Sequence, residues 1–346
     1  VPAHVLRPQT VVGDHKVTTA EIADNIRVHH AGHPRLRAIL RVIGNCGVQT
    51  RYFTRPLDSP TVSGTADIGE RARTAFADAL GMAERAALTA LDRAGLTARD
   101  IDAIVTTHTT SWSIPNLDIN LVARLGLRPD VRRVALTTVA CPGGVQALIR
   151  ASDLVAARPG HKVLVVAAEV LSSIYHHSDT TIESMIYKAL FGDSAAATVV
   201  TDSPLGPGLA IDDTFEFVLP DSLDRQRGRI TPHGIHFDST KKALAAATDV
   251  MPHLLEWLGP RQLDFAVIHP GSPRIITDTA AAVRLDASAA RHSTDTLSDE
   301  GNLGGVSVLR VLERTHAEPP ADGTHGAAIA FGPGFATAAL RCRWHA

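Results

Sequence analysis

Between Ile68 and Ala94 apolar residues recur at helical spacing, through Ala75, Ala79, Met82, Ala86, Leu88 and Leu91, which predicts an amphipathic helix. Gly95 follows as its C-cap, and Ile101-Asp102-Ala103-Ile104-Val105 then reads as a buried strand. The same order returns later in the chain. Leu254 to Leu258 ends at Gly259-Pro260, and Leu263 to Ile268 forms the next strand. Three more apolar runs, Val163 to Ala168, Ala195 to Val200 and Ala327 to Phe331, are also expected to be buried strands. Helical patterns alternate with them, which predicts an α/β protein. The stretch from Thr54 to Gly64, rich in Pro, Ser and Thr, reads as a loop.

A second parallel sharpens the first. Cys141-Pro142-Gly143-Gly144-Val145-Gln146-Ala147-Leu148 matches Asn302-Leu303-Gly304-Gly305-Val306-Ser307-Val308-Leu309 in the glycine pair and in the Val and Leu that follow it. These segments lie 161 positions apart, and the two strands, matched at Asp102 and Asp264, lie 162 apart. Gly-Gly-Val before a helix recurs by chance, but two landmarks in one register point to an internal duplication. Two similar halves sharing one core are expected.

Composition narrows the function. Apolar residues make up 45% of the 346 and charged residues 20%, enough to build a substantial core. With 34 Lys and Arg against 36 Asp and Glu, the net charge of −2 argues against a dedicated nucleic-acid binder. No apolar run reaches the roughly 18–20 residues that span a bilayer, and Val1 to Pro8 has no signal-peptide core. Three scattered cysteines, Cys46, Cys141 and Cys342, make neither a disulfide framework nor a zinc site. The expectation is a reduced, cytoplasmic protein with no nucleic-acid or membrane partner.

Among the cysteines, Cys141 stands out. It follows the strand-like segment Val131 to Ala140 and precedes a Gly-Gly helix start. There the unsatisfied N–H groups and partial positive charge favour a thiolate. Cys46 and Cys342 are expected to act as small buried hydrophobes. His269 ends the second repeated strand and is followed by Pro270-Gly271, at the carboxyl edge where α/β sheets carry function. Asn302 occupies the duplicated counterpart of Cys141. Alone it reads as a helix cap; under the duplication, pseudo-twofold symmetry brings it to the centre beside Cys141 and His269.

These residues carry a family resemblance. Ala140-Cys141-Pro142-Gly143-Gly144, Leu190-Phe191-Gly192-Asp193, His269-Pro270-Gly271-Ser272-Pro273, Leu297-Ser298-Asp299-Glu300-Gly301-Asn302 and Ala330-Phe331-Gly332-Pro333-Gly334 occur in this order. The chain resembles a bacterial-type type III polyketide synthase, the chalcone-synthase-like branch of the thiolase-fold condensing enzymes. The resemblance implies a thiolase-like five-layered αβαβα fold of two duplicated halves forming one compact unit. Residues 1–208 would carry the nucleophile, and residues 209–346 the histidine and asparagine. It implies a homodimer that loads a starter acyl-CoA on Cys141 and extends it with malonyl-CoA, with an acyl carrier protein as an alternative donor. No metal or cofactor is required.

The resemblance also implies roles. His269 would keep Cys141 ionised, and His269 and Asn302 would stabilise the enolate left by malonyl decarboxylation. Phe191 and Phe237 would gate the passage to the cavity. Arg41 and Arg274 would contact CoA, and Thr109, Leu171, Gly304, Gly332 and Pro333 would line the substrate site. Ile114 would close a neighbouring subunit's cavity. Gly304 and Gly305 replace larger residues, which would widen the cavity, while Trp112 and Leu171 lie near positions that line it and would fill space again; Ala330 replaces a glycine, which predicts an altered loop. His29, His30 and His33 are expected to face solvent. Two rivals share the nucleophile: a ketoacyl synthase of the priming kind, and an acyltransferase that forms no carbon–carbon bond.

Overall fold

The computed structural model describes residues 2–240 and 242–346. Fourteen strands are found among them: Ala3–Leu6 (β1), Gln9–Val12 (β2), His15–Thr18 (β3), Thr50–Phe53 (β4), Ala103–His108 (β5), Arg132–Thr137 (β6), Val163–Glu169 (β7), Ser194–Thr201 (β8), Gly208–Val218 (β9), Gln226–Thr231 (β10), Gly234–Ser239 (β11), Phe265–Ile268 (β12), His325–Gly332 (β13) and Ala336–His345 (β14). The α-helices are Thr19–His29 (α1), Leu36–Gly44 (α2), Ile68–Arg93 (α3), Leu117–Leu125 (α4), Gly143–Ala157 (α5), Ile182–Leu190 (α6), Ala243–Leu258 (α7), Pro273–Ala282 (α8), Arg291–Glu300 (α9) and Ser307–Thr315 (α10).

The predicted strands all form. Ten strands make one sheet: nine follow the hydrogen-bonded order β12-β13-β14-β9-β1-β8-β7-β5-β6, and β2 pairs with β8 off that path. In the N-terminal half β5 runs parallel to β6 and β7, and β8 is antiparallel to β7. The C-terminal half repeats this with β12 parallel to β13 and β14 antiparallel to it. The repeat is incomplete, since no strand takes the place of β6 there among the described residues. The two halves meet where β1 pairs with both β8 and β9.

Alternation within the strands sorts the layers. Val105, Val163, Val165 and Ala167 face one cluster with α5 and α10, while Ile104, Leu164, Val166 and Ala168 face another with α3. Strands buried on both faces therefore read as unbroken apolar runs. On the far side, Ala327, Ile329, Phe331 and Ala339 pack against α7. The result is α3, the first half-sheet, α5 with α10, the second half-sheet and α7: five layers. Helix α3 starts at Asp67, whose carboxylate accepts the Glu70 N–H at 2.8 Å, and ends before Gly95 at φ 65°.

The duplicated glycines explain how the central helices meet. A Cβ on Gly144 would overlap the Gly305 carbonyl oxygen, so the pair permits backbone-to-backbone contact between the two helix starts. That contact brings the beginning of α5 and the turn before α10 to the same point.

Candidate active site

Cys141 sits between the end of β6 and the start of α5. The chain reaches it through two left-handed non-glycine residues, Thr138 (φ 60°) and Ala140 (φ 56°). Such positions cost about 1–3 kcal/mol each and persist only where neighbours hold them. Here the Ala140 N–H donates to Thr109 Oγ1 at 3.0 Å, and the Gly143 N–H donates to the Ala140 carbonyl at 2.9 Å. The bend projects the thiol away from the helix axis into a cavity.

Asn302 is held by its backbone and by one end of its side chain. Its N–H donates to the Leu190 carbonyl at 2.8 Å, and its carbonyl accepts the Gly192 N–H at 3.1 Å. Its Oδ1 accepts the Gly304 N–H at 2.9 Å. The side-chain oxygen therefore closes a turn two residues on and is not the N-cap of α10, which is Val306, and the amide Nδ2 is left as the end free to donate. Asn302 lines the same cavity as Cys141. His269 ends β12, anchored by its N–H on the Ile329 carbonyl at 2.8 Å, and its Nδ1 is buried without a partner. No carboxylate therefore locks the ring in one tautomer.

All three side chains line one cavity of ≈ 880 Å³, together with Phe191. It opens to solvent beside the exposed Arg41 and Arg274, the latter paired with Asp278 at 3.0 Å. At the inner end burial opposes the expected thiolate–imidazolium pair. Burial, reinforced by Glu169, pushes the Cys141 thiol up to about 12, against the lowering effect of Asn302. Burial pushes His269 down to about 3. Desolvation penalises the charged form of each group, against the thiolate that the helix start favours.

The other sequence candidates divide. Phe237 packs edge-on to Phe191 at 6.0 Å between centroids, behind the cavity wall. Thr109, Leu171, Gly304, Gly332 and Pro333 do not line the cavity; they stand on its interior side or pack around Pro142. Of the two opposed expectations at Gly304, widening and refilling by Leu171, the structure shows the second. A Cβ there would lie 3.3 Å from Leu171 Cδ1 and from Glu169 Cγ, so these side chains fill the space that glycine vacates. Ala330 brings no strain, because it lies within β13, and the positive φ of this loop falls on Gly334 instead. Ile114 is 79% exposed.

Two further expectations are corrected. His30 is buried and hydrogen-bonded to His177 at 2.8 Å, while His29 stacks on His177 with centroids 3.9 Å apart. His29 is exposed as expected, and His33 is half-buried against the Thr180 carbonyl at 3.0 Å, so the correction falls on His30, which packs between α1 and the segment before α6. Cys342 is fully buried, but Cys46 is half-buried and lines the cavity. Sequence reasoning missed Glu169, whose Oε2 accepts the N–H groups of Thr109 and Thr110, both at 3.1 Å, and which burial raises to about 7. It also missed Tyr187, Gln226 and Ser239 in the cavity wall. Only the spacing of Tyr187, one helical turn before Phe191, pointed to any of these three. Among the described residues no group of three or more His, Cys, Asp or Glu side chains is arranged to hold a metal ion, and no helix is long and apolar enough to cross a membrane.

Comparison with known proteins gives consistent matches. Residues 2–204 match the family described as chalcone and stilbene synthases, N-terminal domain, and residues 210–343 match its C-terminal domain. A 1,3,6,8-tetrahydroxynaphthalene synthase of Streptomyces coelicolor is 32% identical over 342 residues, covering 96% of this chain and 90% of that protein. A phloroglucinol synthase of Pseudomonas fluorescens is 29% identical over 350 residues, covering 99% and 98%. Among solved structures, germicidin synthase from Streptomyces coelicolor, a type III polyketide synthase, superposes with a TM-score of 0.94 at 29% identity, covering 99% of each chain.

Proposed function

The chain belongs to the chalcone and stilbene synthase family as a type III polyketide synthase, an acyltransferase, and we propose that Cys141, His269 and Asn302 carry its chemistry. Its substrates are a starter acyl-CoA and malonyl-CoA, and its product is a cyclised polyketide. The observation that carries the residue assignment is the shared cavity, which joins the three side chains to an opening beside Arg41 and Arg274. The two arginines hold the CoA phosphates there, as guanidinium groups suit phosphate oxygens.

His269 takes the Cys141 proton as the starter arrives, and the thiolate attacks the thioester carbonyl. The Cys141 N–H at the helix start faces the developing oxyanion. CoA leaves as the thiol with the proton from His269, and the acyl group remains on sulfur. The malonyl thioester oxygen then accepts hydrogen bonds from His269 and from Asn302 Nδ2. Carbon dioxide departs, and the two donors stabilise the enolate. Each such donor is worth about 3–4 kcal/mol at a buried site. The enolate carbon attacks the acyl thioester, a carbon–carbon bond forms and Cys141 is released as thiolate. Asn302 suits this role because it cannot titrate and its oxygen is already engaged by Gly304.

The cavity that Cys141 shares with Tyr187 and Phe191 receives the acyl group. The enzyme works as a homodimer. Trp112 and Ile114, 77% and 79% exposed, supply an apolar patch beside the edge strand β6, which a second copy would cover. Incubation with radiolabelled malonyl-CoA and a panel of acyl-CoA starters, with product mass analysis, tests the reading. Carbon dioxide release with chain-extended, cyclised products is expected. Acyl esters or amides without malonyl incorporation would contradict it.

A further inference from the structure

Strand alternation puts Arg229 and Thr231, two apart on β10, on one face of the β10–β11 hairpin, and the register sets His236 of β11 opposite Arg229 on that face. The face meets the segment before α6 at Asp179. Asp179 and His236 are buried, whereas Thr231 is half-buried at the end of β10, beside the exposed turn residues Pro232 and His233. None of these three side chains lines the cavity that holds Cys141.

They are joined to one another instead. Asp179 Oδ2 accepts from His236 Nδ1 at 2.9 Å, and His236 Nε2 lies 2.8 Å from Thr231 Oγ1. Asp179 is anchored further: its Oδ1 accepts the Thr181 N–H and hydroxyl at 2.9 and 2.7 Å, and its Oδ2 accepts Arg229 Nη2 at 3.0 Å. Burial opposes its charge, yet the bonds from Thr181 and His236 hold the carboxyl well below the usual range. A carboxylate can only accept, so the proton of the neutral imidazole sits on Nδ1. Nε2 is then an acceptor, and the Thr231 hydroxyl is the donor that meets it. The His176 ring stands edge-on to His236 at 4.5 Å between centroids, is tied to the Ile235 carbonyl at 3.1 Å, and keeps the imidazole in place. Hydroxyl, imidazole and carboxylate in this order, within hydrogen-bond reach, are the parts of an activated oxygen nucleophile. The His233 N–H donates to the same oxygen at 3.3 Å and steadies the charge that appears as its proton leaves.

We propose that Thr231 is an acyl-acceptor site outside the cavity: its hydroxyl takes acyl groups from thioesters and activated esters, with His236 as the base and Asp179 as the positioning residue. His236 Nε2 takes the hydroxyl proton as Oγ1 attacks the acyl carbonyl. The carbon–sulfur bond of the thioester breaks, the thiol leaves with that proton, and the acyl group stays on Thr231 as an ester. Acyl-CoA, already a substrate of this enzyme, is a sufficient donor. A single N–H beside an oxygen that borders solvent gives little oxyanion stabilisation, so the reaction stops at the ester. The step makes no use of Cys141.

The test uses the Cys141→Ala protein, which carries no acyl group in the cavity, with p-nitrophenyl acetate and acetyl-CoA as donors. Peptide mapping by mass should find an acetyl ester on Thr231, formed at least about tenfold faster than on the exposed Thr277 and losing that preference in urea. His236→Gln should slow it about 100-fold, and Asp179→Asn should slow it too, whereas Thr231→Ser should keep it. Thr231→Val should abolish the ester and, with Cys141 intact, leave malonyl-CoA condensation unchanged. If His236→Gln does not fold, the comparison of folded with urea-unfolded protein decides. No ester on Thr231 of the folded protein, or one that forms as fast without His236 or in urea, would overturn the proposal.

Discussion

In the N-terminal half the residue two positions before the glycine pair is Cys141; in the C-terminal half it is Asn302. The Cys141 thiol projects into the cavity from a strained bend with two left-handed residues. The Asn302 side chain folds back, so that its oxygen caps Gly304 and only its amide nitrogen is left to donate. The strand ends diverge as well. Where the C-terminal half has His269, the offset of 162 places Thr107, whose hydroxyl is buried without a partner. One half thus supplies a nucleophile, and the other supplies a base and a fixed dipole. A duplicated scaffold can place unlike groups face to face because its backbone repeat delivers both to one axis while the side chains remain free to differ.

The comparison breaks first at the nucleophile. Cys141→Ala should show no acyl adduct by intact mass with any starter, because nothing in the C-terminal half can replace the thiol. Asn302→Ala should still load Cys141, yet release carbon dioxide from malonyl-CoA about 100- to 1,000-fold more slowly, the loss of one buried donor. Equal loss of loading and decarboxylation would mean that the halves do not divide the work.

A pH series sharpens the comparison further. Iodoacetamide captures the thiolate, and Cys141 is pushed up to about 12 while His269 is pushed down to about 3. Between those values thiol and imidazole are both neutral, so the thiolate fraction grows with pH. Alkylation of Cys141 should accelerate about tenfold per pH unit from about pH 7 to about pH 9. A plateau across that range would reveal a standing ion pair.

The smallest effect concerns the glycines at the pseudo-symmetry axis. A Cβ on Gly144 would overlap the Gly305 carbonyl oxygen, whereas a Cβ on Gly305 would lie 3.1 Å from the Ala140 carbonyl oxygen. Gly144→Ala should therefore lower unfolding free energy in urea by about 1–3 kcal/mol, and Gly305→Ala by less. Equal losses would show that the contact is symmetric after all.

Much of this was legible in the chain. Strands buried on both faces betray themselves as apolar runs, and the repeated glycine pair located the axis on which Cys141 and Asn302 meet. What stayed hidden depends on partners distant in sequence. Glu169 shares with Leu171 the space beside Gly304, from more than a hundred residues away, and only Leu171 was suggested by the sequence. His30 and His177 are 147 residues apart, and local spacing made the first look solvated. Tyr187 meets Gln226 and Phe237 on a hairpin that no periodicity connects to α6. The sense of the pKa shifts was hidden for the same reason. A helix start argues for a thiolate, but the burial that outweighs it is a property of the packed core.

The most direct measurement is a single turnover on preloaded enzyme. Wild-type and Asn302→Ala proteins, each acylated on Cys141, are mixed with malonyl-CoA, and carbon dioxide and released acyl-CoA are followed together. The account predicts that the wild type frees Cys141 as it releases carbon dioxide, giving a product longer by one ketide unit, while the variant keeps its acyl group. Release of carbon dioxide at the wild-type rate by the variant, or an acyl group that leaves wild-type Cys141 unextended, would contradict it.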